Sequence, residues 1–202
     1  VDGGEAAFHL GEKGDVTAGY GRFNTSDYND KVIDHDAFYA RGAAKLGEGK
    51  LGVDYIKFVG DTNDDNVAGN ELLGANLTIP VSDFRVFGEY WKNTTADDND
   101  TAWNAGLGYG KLNLKKPGSF AIDVAYNDVD EGIYFGGTGL QTDALKYLTK
   151  HEATNVTFWN AMADVTLQKN VFLHGEYAFD VSADDADMND KDAWTVSLNY
   201  KF

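Results

Sequence analysis

The sequence predicts an all-β fold, an antiparallel up-and-down transmembrane β-barrel, with about eleven strands visible in this chain. Three observations predict it. Apolar and polar residues alternate with period two in segments of about ten residues. Turn residues separate the segments. The connections between them alternate short with long, as in a meander with tight turns at one end and large loops at the other.

Composition agrees with this and excludes several alternatives. The 202 residues suffice for one domain, 1–202. With no cysteine, disulfides, thiolate metal sites and cysteine nucleophiles are excluded. Two prolines against 23 glycines fit many short strands and turns. Mean hydropathy is −0.42, and no stretch approaches the roughly 18 apolar residues of a membrane helix. A barrel strand needs only every second residue apolar, so a polar average does not oppose it. The net charge of −16, from 33 acidic and 17 basic residues, argues against nucleic acid as a partner.

The elements follow in order. Three weaker strand candidates lie near 5–10, 15–24 and 50–59, and in the last two the faces cannot be assigned. Phe38, Ala40, Gly42, Ala44 and Leu46 oppose Tyr39, Arg41, Ala43 and Lys45. Leu73, Ala75, Leu77 and Ile79 oppose Gly74, Asn76 and Thr78. Phe84, Val86, Gly88 and Tyr90 oppose Arg85, Phe87, Glu89 and Trp91. Trp103, Ala105, Leu107 and Tyr109 oppose Asn104, Gly106, Gly108 and Gly110. Phe120, Ile122, Val124 and Tyr126 oppose Ala121, Asp123, Ala125 and Asn127. Trp159, Ala161, Ala163, Val165 and Leu167 oppose Asn160, Met162, Asp164 and Thr166. Val171, Leu173, Gly175, Tyr177, Phe179 and Val181 oppose Phe172, His174, Glu176, Ala178 and Asp180. The last strand sets Trp194, Val196, Leu198, Tyr200 and Phe202 against Thr195, Ser197, Asn199 and Lys201.

Short connections are expected near 11–14, 47–49, 80–83, 113–119 and 168–170, and long acidic ones at 25–36, 60–69, 93–100, 130–154 and 182–191. In such barrels the tight end faces the periplasm and the loops face outside. Aromatics gather in two bands. Tyr90, Trp103, Tyr126, Trp159, Phe179 and Trp194 lie near the long loops; Tyr109, Phe120, Phe172, Tyr200 and Phe202 lie near the tight turns. A soluble β-sandwich would alternate too, but its apolar face would be a packed core. An odd strand count leaves one end of the chain on the wrong side for closure, so the chain reads as the C-terminal portion of a larger even-stranded barrel.

The final segment, Ala193–Trp194–Thr195–Val196–Ser197–Leu198–Asn199–Tyr200–Lys201–Phe202, resembles the C-terminal assembly signal of outer-membrane proteins. The resemblance gives Trp194, Tyr200 and Phe202 the role of signal and the barrel-assembly machinery the role of reader. Gly132–Asp143 and Thr157–Leu167 resemble the SLH-domain porins of diderm Firmicutes (Negativicutes) over about residues 118–202. That resemblance implies a trimeric porin barrel set in outer-membrane lipid and lipopolysaccharide. It also implies an upstream stalk and an SLH domain, absent from these residues, that would carry any contact with the cell wall.

Taken together, these readings give the expectation of a passive channel without cofactor or metal, weakly cation-selective, whose specificity comes from pore width and wall charge. The expected wall residues are Arg41, Arg85, Glu89, Asp123, Asp164, His174 and Glu176, each on a polar face. Two other classes stay open: a non-conducting anchor or adhesin, and an outer-membrane hydrolase using Ser197, His174 and Glu176. Gly136–Gly137–Thr138–Gly139 lacks the lysine and strand context of a phosphate loop. Asp61, Asn63 and Asp65 have calcium-loop spacing, but Asn66 and Leu72 stand where glycine and glutamate are needed. His9, His35, His151 and His174 show no metal-ligand spacing. Residues 141–150 have apolar residues at helical spacing. Such a helix either folds into the barrel and narrows it, or caps it or contacts a neighbouring subunit.

Overall fold

The computed structural model describes residues 2–28, 31–59, 69–133, 142–150, 154–184 and 191–201. Eleven strands form one sheet in which every strand pairs antiparallel with its sequence neighbours. They are β1 (Asp2–His9), β2 (Gly14–Tyr28), β3 (Lys31–Leu46), β4 (Gly49–Val59), β5 (Glu71–Val81) and β6 (Phe84–Asn93). β7 (Thr101–Gly110), β8 (Phe120–Val129), β9 (Val156–Gln168), β10 (Val171–Ser182) and β11 (Ala193–Tyr200) complete it. The only α-helix among the described residues is α1 (Asp143–Lys150), between β8 and β9.

Alternation in sequence becomes alternation in exposure, with the large apolar side chains on the exposed side. Trp194, Leu198 and Leu107 are 75%, 66% and 62% exposed. Trp91, Phe158 and Ala178, which point the other way, are at most 1% exposed. The apolar face is therefore the outside of this sheet and the mixed polar face its covered side. A sandwich would have the reverse polarity, because its apolar face would be the one removed from water.

The covered side is concave. α1 contacts β10 and β11 near one end of the strand order and β2 near the other. β2 and β10 are eight places apart in the order, about 38 Å along a flat sheet, whereas an eight-residue helix is about 12 Å long. Only a strongly curled sheet lets one short helix touch both. Ala144, Leu145 and Leu148 of α1 pack into a core cluster with Ile56, Leu72, Trp91, Phe158, Ala178 and Val181. α1 thus lies against the concave side of the sheet.

Four expectations are corrected. The connection expected at 25–36 is largely ladder, since β2 and β3 stay paired as far as Tyr28 and Lys31. The strict alternation of short and long also fails, because 111–119 between β7 and β8 outlasts 94–100 between β6 and β7. Phe172 faces the concave side opposite Asn199 and Thr166, so it does not belong to the outer aromatic band. On β10 the faces exchange after Phe179: Asp180, at φ 56°, sits in a bulge that exposes it and turns Val181 inward onto the core. One extra residue in a strand reverses every later side chain, which period-two counting cannot anticipate.

Candidate pore wall and inserted helix

The register decides which side chains share the concave face. Arg85, Gly108 and Asp123 stand side by side on β6, β7 and β8. The guanidinium crosses Gly108, and its Nη2 donates to both oxygens of Asp123 at 2.5 and 2.6 Å, while Nη1 donates to the Gly110 carbonyl at 2.8 Å. A Cβ on Gly108 would lie 2.3 Å from Asp123 Oδ1 and 2.5 Å from Arg85 Nε. The bridge therefore requires glycine between its partners. Trp91 uses Gly74 in the same way, its indole 2.7 Å from where a Cβ would stand.

On β3 and β4, Arg41 donates from Nε to Asp54 Oδ1 at 2.5 Å, and Asn76 donates to the other oxygen at 3.2 Å. Asp54 is 5% exposed, whereas more than half of the Arg41 side chain remains exposed. Tyr39 donates its hydroxyl to Glu5 of β1, and the Trp91 indole N–H donates to Glu89. Glu5, Tyr39, Arg41, Asp54 and Trp91 line a cavity of about 750 Å³ on the concave side.

The third group holds α1. Its dipole and unpaired N–H groups favour a carboxylate at the first turn. Glu176 of β10 supplies one: Ala144 N–H donates to Oε2 at 2.8 Å and Asp143 N–H to Oε1 at 3.3 Å. The Thr142 hydroxyl accepts from Leu145 N–H at 3.1 Å, the usual N-cap bond. His174 lies 2.9 Å from Asp164 through Nδ1 and 3.3 Å from Glu176 through Nε2. Asp143, His174 and Glu176 bring one potential ligand atom each to within 4.8 Å of one another.

All seven sequence-derived wall residues thus stand on the concave face, in separate groups. Arg41 lies with Asp54, Arg85 with Asp123, Glu89 beside Trp91, and Asp164, His174 and Glu176 under α1. Both ring nitrogens of His174 face carboxylates, and the Ser197 hydroxyl accepts from Asn199 at 2.9 Å. Ser197 stands directly opposite His174 in the register of β10 and β11. Glu5 and Asp54 were missed because β1 is weakly patterned and β4 is apolar on both faces: Val53 and Val59 point out, Ile56 and Phe58 in. Asp143 was missed because its partners lie more than 30 residues downstream.

The outer face carries the two aromatic bands. Trp103, Tyr126 and Trp159 follow one another at 5.6 and 5.4 Å towards the long loops, and Phe84, Tyr109 and Phe120 at 4.9 and 5.9 Å towards the tight turns. Trp194 and Tyr200 point outward; Phe202 lies outside the described residues, as do 61–66 and 136–139 with their weighed motifs. Past the upper band, ion pairs mark a polar rim: Lys57 with Glu71 at 2.5 Å and Lys92 with Asp100 at 2.6 Å. No protein-family model and no curated protein matches the chain.

Proposed function

We propose that this chain is wall of a bacterial outer-membrane porin, through which ions and small hydrophilic solutes diffuse passively. The observation that carries the reading is the inverted polarity of the sheet. At roughly 200 Å² per large side chain, about half exposed, the outer belt presents on the order of 2,000 Å² of apolar surface. A water-soluble monomer rarely exposes a patch beyond about 600 Å². Lipid is the solvent that suits such a belt, and the aromatic bands at its two ends suit the interfaces. The curl that lets α1 touch β2 and β11 suits a closed barrel. β1 and β11 run parallel in an eleven-strand meander, so antiparallel closure takes an odd number of further strands.

The concave face is the pore wall in this reading, with Arg41, Arg85, Glu89, Asp123, Asp164, His174 and Glu176 among its lining residues. α1 narrows it on the side of the long loops, and the cavity beside β1 to β4 is the open part. Arg41 and Arg85 are each answered by a carboxylate, and the acids Glu89, Asp123, Asp164 and Glu176 outnumber these two bases along the wall, hence a weak cation preference. The resemblance to SLH-domain porins adds a homotrimer in lipid and lipopolysaccharide, long loops outside, inserted by the barrel-assembly machinery. A second reading, a non-conducting anchor, is favoured by the apolar cluster around α1. Planar-bilayer recording of the purified protein separates them: discrete ohmic steps are expected, and insertion without conductance would leave the anchor.

A further inference from the structure

The cluster beneath α1 does more than cap a helix. Glu176 spends its Oε2 on a short bond to Ala144 N–H at 2.8 Å, but Oε1 has only two long contacts, 3.3 Å each, to Asp143 N–H and to His174 Nε2. His174 is oriented from behind by Asp164, 2.9 Å from Nδ1. A neutral ring with its proton on Nδ1 towards Asp164 would offer Nε2 as a ligand on the side of Glu176, the second-shell arrangement usual for metal-binding histidines.

The spacing has a further meaning. Zinc bonds of about 2.0–2.1 Å at tetrahedral angles hold neighbouring ligand atoms about 3.3–3.4 Å apart. The Nε2 to Oε1 separation of 3.3 Å is one edge of such a tetrahedron. The Asp143 carboxylate, about half exposed and within 4.8 Å of both, supplies the third corner by side-chain rotation. Its present partner is an exposed pair with Lys146 at 3.8 Å, weak enough to yield. Three carboxylates converge on one imidazole, and a divalent cation balances that charge better than a proton.

We propose that Asp143, His174 and Glu176 bind a zinc-class divalent transition metal, with Asp164 as positioning residue and the fourth coordination place open to water or solute. The ligands come from α1 and β10, so the metal staples the inserted helix to the wall. Binding itself does not depend on whether the sheet conducts.

The test is titration of the intact protein in detergent micelles with Zn²⁺ by calorimetry, and with Co²⁺ by visible absorption. One Zn²⁺ per chain is expected, with the intense d–d bands of tetrahedral Co²⁺. Asp143→Asn changes an exposed side chain and leaves the sheet intact; it should weaken binding at least about tenfold, as should Asp164→Asn acting through His174. His174→Ala should abolish it, and D97N/D98N in an acidic loop should change nothing. Absence of stoichiometric binding, or equal binding by wild type and Asp143→Asn, would overturn the proposal. The staple has its own readout. Zn²⁺ should slow tryptic cleavage at Lys146 in the wild type but not in Asp143→Asn, and equal protection in both would overturn it.

Discussion

Arg85 shows how a charge can line a wall without crossing the space beside it. Its guanidinium lies over Gly108 and reaches both oxygens of Asp123, so neither charge of the pair stands alone on the concave face. Asp123→Asn keeps the shape but removes the charged acceptor, leaving a half-buried guanidinium one partner short. The expected cost is about 2 kcal/mol in urea unfolding from lipid or detergent. The same variant should move the reversal potential under a KCl gradient towards chloride, because Arg85 is then unanswered. Glu5→Gln and Glu89→Gln should reduce cation preference with smaller losses of stability, since an amide oxygen can still accept the bonds from Tyr39 and Trp91. An unchanged reversal potential in all three would remove these residues from the conduction path. At this scale the sequence was informative where one face was clearly polar. Arg41 was readable on β3, but its partner Asp54 was not, because Val53 and Ile56 make both faces of β4 apolar.

α1 is an element whose existence was legible and whose destination was not. Ala144, Leu145 and Leu148 have helical spacing, and they are the residues it buries; Tyr147, on the same count, stays about half exposed. Its buried face packs on the concave cluster and Glu176 caps its start, and no local pattern connects a carboxylate on β10 with a helix start some 30 residues earlier. Two variants separate the forces that hold it. Leu148→Ala removes a fully buried side chain and should cost about 3 kcal/mol of docking energy. Glu176→Gln keeps an acceptor at the helix start but loses the charge, and about 1 kcal/mol is expected. Both should raise single-channel conductance and its open-state noise, Leu148→Ala more, while the sheet stays folded by circular dichroism. Unaltered conductance in both would mean that α1 does not narrow the path. The β2–β3 hairpin fails in the opposite way. Its outer part breaks the period-two pattern in sequence, with Val32 next to Ile33 and Asp34, His35 and Asp36 consecutive, although backbone pairing runs on to Tyr28 and Lys31. Hydrogen bonds need no apolar side chain to continue past the belt.

Across the whole molecule the all-β class, the eleven strands and their meander order were legible, because each strand repeats the same two-residue rule. The barrel expected from that rule implies a curled sheet, and the contacts of α1 with β2, β10 and β11 show the curl. The solvent of the outer face follows from polarity and is open to a direct test by placing one charge on each side of a strand. Leu107 points outward from the middle of β7 and is 62% exposed; Asn104, on the same strand, faces the concave side. If water bathes the outer face, Leu107→Arg is an ordinary surface substitution, within about 0.5 kcal/mol of wild type. If lipid bathes it, an arginine near the bilayer midplane costs about 2–4 kcal/mol. Asn104→Arg puts the same bulk and charge on the concave side, opposite Glu89 and Asn127. Folding into liposomes, followed by the gel shift between unboiled and boiled samples, reads out both variants. The porin reading expects Leu107→Arg to fold in lower yield and to unfold at lower urea than Asn104→Arg. If Leu107→Arg instead leaves a stable, detergent-free protein, the belt faces water and the chain is no membrane barrel.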